Sequence, residues 1–331
     1  MKRRTFAGTF AGGIAAFAAL PSTVAAQSRA KPLIAWLGSG PQRSASKYIG
    51  ILRAGLREQA YIDGENIEIV ARLAEGYVER LPALAKEVVA LGPAIIVAGA
   101  VDAAVAVHKV TTTIPIVSGA LADAINLGLV ASSARPGGNV TGVTPYVDGL
   151  PAKQMELARE VVPGAVKVGL LGNWIDPKSQ HPRLELEEIA RKWSVTIVAP
   201  EVRGPDDVDN AIKLLVGEKV DVVIVMQTAM LLGERARIAA SFATHRLPAI
   251  YGYREHVDAG GLISYGVDLA LCWRHAAVFV AKILKGAAPG DLPIEFPTKL
   301  EMIVNVKAAK ALGIVFSATI LSRADEIMSD P

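Results

Sequence analysis

From Lys31 onward, short apolar runs alternate with longer segments whose apolar residues recur at helical spacing. Strands buried on both faces read as continuous apolar runs, so this alternation predicts parallel sheets covered by helices on both sides. The first run, Leu33 to Leu37, ends at Gly38-Ser39-Gly40, and the segment from Ser44 to Ala60 sets Tyr48, Ile51, Leu52 and Leu56 on one helical stripe. Further strands are expected at 67–70, 94–98, 114–117 and 140–143, with helices at 78–91, 102–112 and 122–134. Pro136-Gly137-Gly138 stops the last of these helices.

The second half repeats the pattern. Strands are expected at 168–171, 196–199 and 220–225, and helices at 185–193, 206–216 and 234–245. Landmarks pair between the halves: Thr-Ile-Pro-Ile-Val-Ser-Gly ending at Gly119 matches Arg-Leu-Pro-Ala-Ile-Tyr-Gly ending at Gly252. Two similar five-stranded, Rossmann-like lobes joined by a hinge follow from this repeat. Leu247 to Leu269 closes the second lobe as strand, loop, strand, with Tyr251, Gly252 and Tyr253 at the first strand end and Gly260-Gly261 as a turn. A helix at 271–285, a proline-rich connection at 286–297, a strand at 301–306, a short helix at 306–312 and an amphipathic segment at 318–327 complete the chain. The expected division is residues 31–144 with 268–298 in one lobe, and 145–267 with 299–331 in the other.

The first 26 residues break the pattern. Lys2, Arg3 and Arg4 precede an apolar run from Phe6 to Leu20, and small residues end at Val24-Ala25-Ala26, as in a cleaved secretory signal. Arg3-Arg4-Thr5-Phe6 also permits twin-arginine export. Three of the 35 basic residues and none of the 32 acids lie in this leader, so the rest is formally neutral. That balance argues against a nucleic-acid partner. Cys272 is the single cysteine and has no intramolecular partner. A hydrophobic fraction of 51% over 331 residues argues against disorder and supports real cores.

Several stretches carry a family resemblance: Gly55-Leu56-Arg57-Glu58, Tyr61-Ile62-Asp63-Gly64-Glu65-Asn66-Ile67, Leu81-Pro82-Ala83-Leu84-Ala85, Leu127-Gly128-Leu129-Val130-Ala131-Ser132, Ala134 through Gly142, and Arg203-Gly204-Pro205-Asp206-Asp207. With the 247–269 stretch, these resemble the solute-binding proteins of ABC transporters in the family that includes tryptophan and tyrosine binders. The resemblance implies the type I periplasmic-binding fold and a monomeric periplasmic receptor that hands a small solute to a membrane permease. Where relatives have Gly-Asp-Pro, this chain has Leu121-Ala122-Asp123-Ala124, keeping the acid without the glycine and proline.

In open α/β sheets, ligands bind beyond the carboxyl ends of strands. For an amino acid, Ser39 and Ser118 are candidate donors to the carboxylate, or ordinary helix caps; Asp123 and Asp268 are candidates for the ammonium, or a cap and a surface group. Gly99 and Ala100 leave room for a close approach, although a plain turn uses glycine too. Asn173, Gln227 and Thr228 follow second-lobe strands. Trp174, Tyr253 and, at the hinge, Tyr146 are candidate stacking partners, whereas Trp36 inside a strand reads as core. Catalytic and cofactor patterns are poor. Ser44-Ala45-Ser46-Lys47 lacks the companion motifs of a serine acylase, the five histidines show no metal-ligand spacing, and Arg135 to Asn139 reads as a turn and not a dinucleotide site. An exported enzyme using the same cleft and a sensory ligand-binding subunit remain the alternatives to a transport receptor.

Overall fold

The computed structural model describes residues 1, 31–145, 147, 149–296 and 299–329. Met1 apart, the expected signal sequence lies outside the described residues, as does Tyr146.

The chain opens with strand β1 (Leu33–Gly38), helix α1 (Gln42–Glu58), β2 (Glu68–Leu73), α2 (Leu81–Ala90), β3 (Ile95–Ala98), α3 (Val101–His108), β4 (Ile116–Ser118) and β5 (Val140–Gly142). These strands form one all-parallel sheet in the order β2-β1-β3-β4-β5. Every residue of β3 and all but Leu33 of β1 are buried, as central strands covered on two faces require. At the sheet's far edge, Gly142 has φ 148°, and a Cβ there would lie 2.0 Å from the Ser118 carbonyl oxygen, so only glycine fits.

The second half runs α4 (Leu150–Val161), β6 (Lys167–Leu171), α5 (Gln180–Lys192), β7 (Thr196–Val198), α6 (Val208–Gly217), β8 (Val222–Val225), α7 (Ala229–Gly233), α8 (Arg235–Thr244), β9 (Ala249–Tyr251), α9 (Arg254–Asp258) and β10 (Ile263–Val267). Helix α10 (Leu269–Leu284) follows, then β11 (Leu300–Asn305), α11 (Val306–Leu312), α12 (Ala318–Arg323) and β12 (Glu326–Met328). The second sheet has seven strands in the order β12-β11-β10-β9-β8-β6-β7. It is parallel except for the antiparallel pair β10 and β11, so it exceeds the expected five strands and is mixed. The two extra strands arise because the returning chain adds β11 and then β12 at the sheet's open edge.

The chain passes between the sheets three times: after β5, after β10 and before β11. The middle crossing delivers α10 to the first sheet, where it packs along α1; at Gly55 an added Cβ would lie 2.7 Å from Ala277 Cβ. Helices α1 and α10 share one core with one face of the first sheet, and α2 and α3 share another core on the opposite face. A third core surrounds the second sheet. No helix among the described residues is long and apolar enough to cross a membrane.

Two expectations fail locally. The helix expected at 122–134 is a run of turns: Asp123 (φ 56°) and Gly128 (φ 69°) are left-handed, which interrupts helical hydrogen bonding within two turns. The amphipathic segment at 318–327 divides into α12 and the edge strand β12.

Candidate functional site

The carboxyl ends of the two sheets face each other, and side chains from both enclose the space between them. From the first sheet's side come the β1 end (Trp36, Gly38, Ser39), the β3 end (Gly99, Ala100), α1 (Tyr48) and α10 (Trp273); from the other come Lys178, Ala229, Leu232 and Tyr253. These line a cavity of about 40 Å3. A second cavity of about 40 Å3 lies beside α4 and includes Gln154, Ser179 and Gln227. Lys178 and Tyr253 line both. A larger opening of about 630 Å3 runs toward the hinge past Asp123, Phe296 and again Lys178.

The first cavity is walled by rings. Trp36 and Trp273 meet with centroids 4.6 Å apart and tilted by 39°, and Tyr48 lies 6.2 Å from Trp273. Gly99 permits this packing, since a Cβ there would come within 3.1 Å of the Trp36 ring. Against the rings stand two polar groups without hydrogen-bond partners: Trp36 Nε1 and Ser39 Oγ. Ser39 lies beside the Asp102 carboxylate, but its hydroxyl falls outside hydrogen-bond geometry.

Lys178 is the centre of the site's electrostatics. It follows Asp176, whose Oδ1 accepts from the Lys178 backbone N–H at 3.2 Å and so caps a short turn. Lys178 is only 8% exposed, yet its ammonium has no hydrogen bond or ion pair among the described residues. Burial by itself would lower its pKa, but Tyr253, Asp176 and Asp102 outweigh burial and hold it above the usual lysine range. Asp176 is pushed up to about 7, first by burial and then by the Asp102 charge, with Lys178 opposing. Burial also raises Asp102, again against the pull of Lys178. Asp102 belongs to α3 and Asp176 precedes α5, so the two lobes place their acids around one lysine.

The residues expected at the site divide. Ser39, Gly99, Ala100 and Tyr253 line the first cavity; Gln227 lines the second, its Nε2 donating to Gly252 O at 3.0 Å; Asp123 lines the hinge opening, its Oδ1 accepting from Asn126 at 2.6 Å. Ser118 Oγ accepts from Ala120 N–H, Thr228 Oγ1 caps α7, and Asp268 Oδ1 accepts from the N–H groups of Ala270 and Leu271 at the start of α10. Those three act as caps or turn formers and line none of the three openings. Asn173 holds Ile175 N–H and Arg203 O, while Trp174 donates to Pro200 O and carries the Arg183 guanidinium on its face; both stand back from the cavities. Trp36 is core, as expected, but its ring edge also forms cavity wall.

Sequence reasoning missed Lys178, Asp102, Tyr48 and Trp273. A lysine following Asp-Pro at a strand end was the available sign for Lys178, and the apolar stripe of α10 was the sign for Trp273.

Polar contacts join the lobes at the rim. Arg43 Nε donates to Gly233 O at 2.8 Å and its guanidinium pairs with Glu234. Lys47 Nζ and Tyr48 Oη donate to Glu255 Oε1 at 2.9 and 2.8 Å, and Tyr77 Oη donates to Asp206 at 2.7 Å. The arrangement is therefore a closed one.

A family model described as ABC transporter substrate binding protein matches residues 38–328. A tyrosine-binding protein of Clostridioides difficile is 28% identical over 265 residues, covering 80% of this chain and 76% of the relative. Among solved structures, an ABC domain from Streptococcus pneumonia in complex with L-Trp is 24% identical with a TM-score of 0.82, covering 90% of this chain and all of the other. A conserved domain protein from Vibrio cholerae is 25% identical with a TM-score of 0.83, covering 90% and 99% of the two chains.

Proposed function

This chain belongs to the family of ABC transporter substrate binding proteins, and we propose that it is the exported receptor of an importer, closing two lobes on a small amino-acid-like solute. In this reading the leader is removed after Ala26, and the mature monomer works in the periplasm and presents its solute to a membrane permease. Residues 31–144 with 268–298 move as one body, and 145–267 with 299–331 as the other. The packing of α10 on α1 and the membership of β11 in the second sheet support that division.

One observation carries the proposal: the enclosed space is built from both lobes and is lined by polar groups of each, the unpartnered hydroxyl of Ser39 from one and the Lys178 side chain from the other. A solute that satisfies both interacts fully only with the closed form, and so shifts the population toward it. The aromatic walls suit a flat apolar body. The role needs no chemical step, and no catalytic group is assigned.

The test is a melting-temperature screen of the mature protein against amino acids, aromatic compounds and small carboxylic acids. A solute that binds only the folded state at a hundredfold excess over its Kd adds about 2.7 kcal/mol of stability. We expect a distinct upward shift with a narrow set of solutes. Turnover of a compound with no solute shifting the melt would contradict the receptor reading.

A further inference from the structure

A buried ammonium carries three donors and a charge that an enclosed site must balance. Lys178 has the charge balanced, since Asp102 and Asp176 stand near it, but none of its donors finds an acceptor among the described residues. Neither aspartate lines the cavities, whereas Lys178 lines all three openings between the lobes. What a solute meets is therefore the cation, with the acids behind it. Unpartnered hydroxyls share these cavities with Lys178, Ser39 Oγ in the first and Ser179 Oγ in the second, and each is also a potential donor. Two donors converging on one enclosed space, one of them charged, fit an anion better than a second cation.

We propose that Lys178 is the specificity-determining residue of this cleft, selecting solutes that present a carboxylate to its ammonium while an aromatic or other flat apolar body lies against Trp36, Tyr48 and Trp273. This rests on the receptor reading above and names its substrate class. The carboxylate receives hydrogen bonds from Lys178 Nζ, with Ser39 Oγ as a second donor. Because the first cavity, about 40 Å3, is smaller than the roughly 150 Å3 that holds a benzene ring, the lobes part slightly to seat the ring. Charge-assisted bonds are stronger than neutral ones, so the solute's charge weighs heavily in binding. Asp102 and Asp176 act as positioning residues, keeping the buried lysine charged and aimed at the cleft. A neutral aromatic of the same shape leaves the ammonium unsatisfied and is rejected for that reason.

The experiment compares charge-matched pairs by isothermal titration on the mature protein at neutral pH: phenylacetate with phenylacetamide, 4-hydroxybenzoate with 4-hydroxybenzamide, and L-tryptophan with L-tryptophanamide. We expect at least one acid to bind and its amide to bind roughly tenfold more weakly or worse. Lys178→Met removes that preference, lowering affinity for the acid and raising it for the amide, whose unsatisfied partner is gone, while Lys178→Arg retains most of it. Melting of each unliganded variant confirms that it is folded, and Lys178→Arg supplies the comparison if Lys178→Met is not. Equal binding of acid and amide to the wild type, or undiminished binding of the acid to folded Lys178→Met, overturns the inference. Binding of only neutral or cationic solutes from the wider screen overturns it too while leaving the receptor reading intact, whereas failure of every solute sinks both.

Discussion

At the scale of single residues, burial sets the pH behaviour. His256 is enclosed in the second lobe, its ring stacked on Tyr251 at 4.9 Å, with both ring nitrogens unbonded. The carbonyls of Tyr253 and Leu231 lie nearby but outside hydrogen-bond geometry. Burial lowers its pKa to about 4. The unfolded chain, with an ordinary histidine near 6.5, takes up the proton first, so this contribution is complete above about pH 6.5 and is lost as pH falls toward 4. Its full extent is on the order of 3 kcal/mol. Denaturant unfolding of wild type and His256→Phe at pH 7 and pH 4.5 isolates it: the wild type loses stability on acidification that the variant keeps. Equal losses in both proteins would contradict the assignment.

At the scale of elements, α10 depends on Asp268, which caps its first turn with two backbone hydrogen bonds. Asp268→Ala is expected to cost about 1 kcal/mol of stability and to leave solute affinity within about twofold. Chemical unfolding and titration of the same variant check both, and a loss of affinity far beyond the loss of stability would restore Asp268 as a solute ligand. The same residue shows how far the sequence could be read. A cap and an ammonium ligand ask for the same side chain at the same kind of strand end, and only the position of α10 separates them. Strand ends themselves are legible, because continuous apolar runs stop where the buried sheet stops; Ser39, Gly99 and Tyr253 follow such ends, and all three line the first cavity. Lys178 was not, since Asp176-Pro177-Lys178-Ser179 is polar and reads as a surface turn. Its burial comes from α3 of the other lobe lying over it, a contact between residues more than seventy positions apart in the sequence. The turns at 122–134 were misread for a related reason: Leu127, Leu129 and Val130 keep an apolar pattern while Asp123 and Gly128 turn the backbone left-handed.

At the scale of the whole molecule, three crossings join two lobes with their own sheets, and the seam between them combines polar rim contacts with the apolar packing of Leu232 and Tyr253 against the first lobe's core. Arg43 keeps 57% of its side chain exposed, so its ion pair with Glu234 contributes little, on the order of 0–1 kcal/mol. Glu255 is buried and binds both Lys47 and Tyr48, making it the strongest single tie across the rim. Two lobes that each keep their own sheet suit a closing receptor, because a solute that binds the closed form better shifts the balance between open and closed. Small-angle X-ray scattering of the mature protein, alone and saturated with a solute that raises its melting temperature, tests this most directly. The account predicts a larger radius of gyration without solute and a decrease to that of the closed arrangement when it binds; an unchanged radius with the solute bound would contradict it.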